Sequence, residues 1–170
     1  LFTLIPLFSC QKEETLNKIF DGNVVIWPFS DMKSIRKALD GKEIISGRLT
    51  ISDYFGDLSF LNNIRVIKGD FNLTNCPRIS DLTFISRLEV VEGIVRLEFN
   101  HDLVSLKGLE NLDSAGSFSV YDNHRDLDVS AIADIRVTGG FRLASLARNV
   151  QTPFLNIRIL SGDFTIQENP

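Results

Sequence analysis

The sequence predicts a mainly β protein: a parallel β-solenoid of coils about 23 residues long, with a short helix covering its N-terminal end. Two observations carry this. A glycine followed by alternating apolar residues recurs as G-N-V-V-I at Gly22, G-R-L-T-I at Gly47, G-D-F-N-L at Gly69, G-I-V-R-L at Gly93, G-S-F-S-V at Gly116, G-G-F-R-L at Gly139 and G-D-F-T-I at Gly162, in steps of 25, 22, 24, 23, 23 and 23 residues. Between these starts, apolar residues fall at every third position, as in Ile79, Leu82, Ile85, Leu88 and Val91. Self-similarity at such a period means stacked units, none of which can bury its own apolar face alone.

Composition bounds what the protein does. The 170 residues suit one domain, and 44% hydrophobic with 24% charged residues is ordinary for a folded chain. A net charge of −4, with Lys and Arg scattered, supplies no basic field for nucleic acid. The 13 Phe against 2 Tyr and 1 Trp favour filling a core over building an aromatic platform. The chain starts at Leu1 and stops at Pro170, just after a repeat strand, so it reads as a piece of a longer protein, lacking residues at both ends.

Residues 1–10, L-F-T-L-I-P-L-F-S-C, are apolar but shorter than the ~20 residues that span a bilayer. They fit the tail of a secretory signal, expected to occupy residues 1–9. Leu7-Phe8-Ser9-Cys10 resembles the bacterial lipobox, which implies lipid on Cys10 and makes residues 10–20 a tether. The following Q-K-E-E resembles the surface-export stretch of Bacteroidetes lipoproteins. That likeness implies a bacterial outer-membrane lipoprotein, surface-exposed and held to the membrane through its N-terminal lipid. The plainer alternative is a buried apolar strand that happens to end in cysteine.

The solenoid is expected over residues 21–170. After the first strand, Ser30 or Asp31 caps a helix, D-M-K-S-I-R-K-A-L, with Met32, Ile35 and Leu39 along one face. From Gly47 the strand pattern repeats with its apolar positions inward: Leu49/Ile51, Phe71/Leu73, Val95/Leu97, Phe118/Val120, Phe141/Leu143 and Phe164/Ile166. A second ladder matches Leu58, Leu61, Ile64 and Ile67 with Leu82, Ile85, Leu88 and Val91, and these with Leu106, Leu109, Leu112 and Ala115. Its three-residue period suits an extended or 3₁₀-like wall better than an α-helix.

The G-x-L-x-I strand, the turn and the F-L-x-x-I-x-x-I-x-G segment together resemble the receptor L domain, the leucine-rich β-solenoid of growth-factor receptor ectodomains. The likeness is strongest from Gly47 to Gly116. It implies a right-handed β-helix that binds other molecules, with no catalytic residues and no cofactor. The chain lacks a cysteine-rich module, so hormone-receptor function is not implied.

The outward strand positions are the candidate ligand-binding face. One row reads Thr50, Asn72, Arg96, Ser119, Arg142 and Thr165; the next reads Ser52, Thr74, Glu98, Tyr121, Ala144 and Gln167. Of these, Asn72, Arg96, Glu98, Ser119, Tyr121 and Arg142 offer the chemistry to recognise a protein or a glycan; the alternative is a solvated face. His101 and His124, eight residues past their glycines, stack in adjacent coils with Asn100 and Asn123 before them. Corner packing through side-chain amides accounts for that pattern better than a metal site. Cys76 reads as a small residue filling a corner. No H-E-x-x-H, G-x-S-x-G, Walker loop or paired C-x-x-C is present. A polysaccharide-degrading enzyme would need grouped carboxylates, for which Glu98, Asp122 and Asp126 are the nearest set. A structural spacer is the remaining alternative to a binding module.

Overall fold

The computed structural model describes residues 17–146, 156–159 and 161–168. Cys10, the signal-like run and most of the tether lie outside the described residues.

Among the described residues twelve strands form one sheet in which every pairing is parallel. It folds into two walls. The first stacks β2 (Val24–Ile26), β4 (Leu49–Ser52), β6 (Phe71–Thr74), the second half of β7 (Val90–Glu98), the second half of β8 (Ser114–Tyr121), β10 (Phe141–Leu146) and β12 (Phe164–Glu168). The second stacks β1 (Ile19–Phe20), β3 (Ile44–Ile45), β5 (Val66–Ile67), the first halves of β7 and β8, β9 (Arg136–Val137) and β11 (Arg158–Ile159). Along the first wall Val24 stands beside Leu49, then Phe71, Val95, Phe118, Phe141 and Phe164, so partners are 22 to 25 residues apart.

The repeat glycines mark the corner between these walls. Gly47 donates its N–H to the carbonyl of Gly22 at 3.0 Å, Gly69 to Gly47 at 2.9 Å, Gly93 to Gly69 at 3.2 Å and Gly139 to Gly116 at 2.6 Å. A Cβ on Gly69 would lie 2.8 Å from the carbonyl carbon of Gly47. The repeat therefore needs glycine for want of space, because one coil's backbone rests directly on the next.

The three-residue ladder becomes the third wall. Leu61 donates its backbone N–H to Leu58, and Ile64 to Leu61. Ile85 and Leu88 repeat the pattern, as do Leu109 and Leu112, then Ile132 and Ile135. Each bond spans three residues, which is the 3₁₀ geometry the period implies. Asp57, Asp81 and Asp128 start their turns by accepting the N–H two residues on, from Ser59, Thr83 and Ser130; the Ser105 hydroxyl does the same for Lys107.

The core fills the space between the walls, with Phe71, Phe118 and Phe141 fully buried. The inner ladder lies as expected through Leu143. Phe164 and Ile166 differ: they keep register with Phe141 and Leu143 but are 53% and 41% exposed, since β12 has a described neighbour on one side only. Helix α1 (Met32–Leu39) covers the first coil, burying Leu39 and packing Met32 and Ile35 against the core. Asp31 is its cap, its carboxylate accepting the N–H of Ser34, whereas Ser30 accepts the N–H of Trp27.

Candidate functional site

The expected face forms. On the first wall Asn72, Arg96, Ser119 and Arg142 are successive neighbours across the sheet, and so are Thr74, Glu98 and Tyr121. They share a face because side chains alternate along each strand and the parallel register aligns the coils.

Two clusters divide this face. In the first, Arg96 donates from Nη1 to Asn72 Oδ1 at 2.8 Å, and Asn72 donates from Nδ2 to Thr50 Oγ1 at 3.4 Å. Arg96 Nε also lies 3.5 Å from Glu98 Oε1, with side-chain exposures of 36% and 26%. In the second, the Arg142 guanidinium sits 5.0 Å above the Tyr121 ring, and Phe99 meets Tyr121 edge-on at 5.5 Å between centroids. Ser119 lies between Arg96 and Arg142. The arrangement puts a guanidinium held in place, an aromatic ring and a carboxylate on one outer sheet face.

Ala144 is the exception on this face. It is buried at 2% exposure, where the alternation placed it outward. Its methyl lies between the larger Tyr121 and Gln167 of the flanking strands, and the register slips directly after it.

Counting three and five residues from Gly22, as from the other glycines, extends the two rows to Val25 and Trp27, which the sequence reading omitted. Val25 pairs with Thr50 and is 47% exposed. Trp27 is 49% exposed, and its ring meets that of Phe29 edge-on at 5.4 Å.

The corner residues behave as packing. Asn100 and Asn123 are the buried polar side chains among the described residues. Asn100 Oδ1 accepts the N–H of Cys76 at 2.9 Å, and its Nδ2 donates to the carbonyl of Leu73 at 3.0 Å. Asn123 Oδ1 accepts the N–H of Asn100 at 3.1 Å, and its Nδ2 donates to the carbonyl of Leu97 at 2.7 Å. Cys76 occupies the same place one coil earlier, with Sγ 3.6 Å from the carbonyl of Ile51, and burial pushes its thiol pKa up. His101 stays exposed with Nε2 3.9 Å from Asp122, and His124 Nδ1 accepts the N–H of Asp126. Among the described residues no three His, Cys, Asp or Glu side chains gather to hold a metal. Glu98, Asp122 and Asp126 each face a different partner: Arg96, His101 and Arg125.

Over 141 residues, 78% of its length, the chain is 28% identical to the epidermal growth factor receptor of Gallus gallus. It spans 19% of that receptor's length. The match and the parallel coiled sheet together fit the receptor L-domain-like fold that the repeats resemble. No family model and no solved structure matches the chain.

Proposed function

We propose that this chain is a non-catalytic binding module of a bacterial surface lipoprotein, anchored by lipid on Cys10, and that the outer sheet face recognises a protein partner. The observation that carries it is the outer face on which Arg96 is fixed by Asn72 and Glu98, while Tyr121 packs against Phe99 and Arg142. Tyr and Arg dominate the energetics of protein interfaces, and a ring already pinned by its neighbours loses little freedom on binding. An outer sheet face suits a folded partner better than it suits a small ligand, which needs a concave site. Similarity to a growth factor receptor supports ligand recognition as the role.

Two measurements test this. Mass spectrometry of the protein produced with its native leader in a bacterial host reads acylation at Cys10, and an unmodified cysteine sinks the anchor. A photo-crosslinking residue at Ser119 captures the partner on intact cells. Tyr121→Ala and Arg142→Ala should each weaken the captured complex by about 2 kcal/mol without moving the melting temperature. Crosslinking to no protein would refute the face.

A further inference from the structure

A groove lies apart from the sheet face, on the edge where the 3₁₀ turns of two neighbouring coils meet. Its volume is about 370 Å³, and its lining includes Gly56, Asp57, Asn62, Arg78, Ser80 and Asp81. That volume falls within the range of small-ligand sites. Next to the lining residue Gly56, Phe55 is 59% exposed and stacked on Tyr54 at 6.4 Å, with the guanidinium of the lining residue Arg78 over its ring, 5.6 Å from the centroid.

Three polar groups of the lining keep hydrogen-bonding capacity. Arg78 holds a left-handed backbone (φ 70°), fixed by its N–H donating to Asp102 Oδ2 at 2.9 Å, yet its guanidinium joins no hydrogen bond or ion pair among the described residues. Asp81 spends Oδ1 on the N–H and hydroxyl of Thr83, leaving Oδ2 open. Asn62 accepts from Ser86 through Oδ1 and leaves Nδ2 open. Asp57 pairs with Arg36 at 3.0 Å, Asp81 has Lys107 nearby and Arg78 has Asp102, so the charges around the groove cancel.

From this we infer that the groove binds a neutral oligosaccharide. Phe55, more than half exposed beside the groove, presents apolar surface for a sugar's C–H groups. Arg78 and Asn62 donate to hydroxyl or ring oxygens, and Asp81 accepts from hydroxyls. An acidic sugar gains nothing from a site whose charges cancel. The inference does not depend on the sheet face.

Calorimetric titration with maltotriose, N-acetylchitotriose, mannotriose and trigalacturonate tests it. The expected result is submillimolar binding of at least one neutral trisaccharide, weakened at least tenfold by Phe55→Ala and by Arg78→Ala and unchanged by Arg142→Ala. Absence of heat with all three neutral sugars, or preference for trigalacturonate, overturns it. If either variant misfolds, amide shifts in the unmodified protein decide: perturbation centred on Gly56, Ser80 and Thr83 supports the site, and perturbation elsewhere rejects it.

Discussion

Asn100 shows how one side chain joins three coils. It accepts from Cys76 in the coil before, bonds to the Leu73 carbonyl in that coil, and meets Asn123 in the coil after. Replacing it with alanine strands the Cys76 N–H in a buried corner and takes one of the donors from the Leu73 carbonyl. Each lost partner costs about 1–3 kcal/mol, so Asn100→Ala should lower the urea midpoint and speed amide exchange at Cys76. The reverse change is predicted at Cys76, whose sulfur already faces the Ile51 carbonyl at hydrogen-bond range for a thiol. Cys76→Asn should extend the amide ladder by one coil and stabilise by about 1 kcal/mol. A melting temperature below that of the unmodified protein would refute the equivalence of the three positions.

Among the elements, the 3₁₀ turns carry the clearest dependence on pH. The Ser59 N–H and hydroxyl, then the Arg36 guanidinium, lower the Asp57 carboxyl to about 2 from its ordinary 3.8. A carboxylate depressed on folding contributes stability at pH values above its ordinary range, and loses it as pH falls through the folded pKa. Stability should therefore decline between about pH 4 and pH 2, with a shallower slope in Asp57→Asn. Exposure of this pair to solvent keeps the effect modest. Acid titration of the urea midpoint for both proteins reads it, and equal slopes would rule out this role for Asp57.

For the whole molecule, the controlling distance is the approach of one coil to the next at the glycine column. Gly69→Ala places a methyl 2.8 Å from the Gly47 carbonyl carbon and 2.9 Å from the Arg48 nitrogen. Backbone, unlike a flexible side chain, does not yield cheaply, so a loss of about 1–3 kcal/mol is expected. Because a stacked array transmits stability through neighbouring units, amide exchange should quicken in β4 and β6 together. Quickening confined to one strand would argue against a shared interface.

How far the sequence alone reached follows from the same physics. Glycine spacing, strand alternation and the three-residue period are local patterns, each enforced at every coil, so the parallel wall, the inner ladder and the 3₁₀ wall were all legible in it. The outer rows followed too, through Arg96 and Tyr121, because parallel register carries a position from coil to coil. Tertiary structure decided what those rows do: that Arg96 is tied to Asn72 and Glu98, that Arg142 lies over Tyr121, and that Ala144 is buried between larger neighbours. It also decided that Phe164 and Ile166 stay exposed, and it brought Arg78 and Asp81 to one groove with Phe55 beside Arg78. Repetition along a chain encodes which backbone segments stack; which side chains meet across two coils depends on their rotamers and on the turns that aim them, and these vary from one coil to the next.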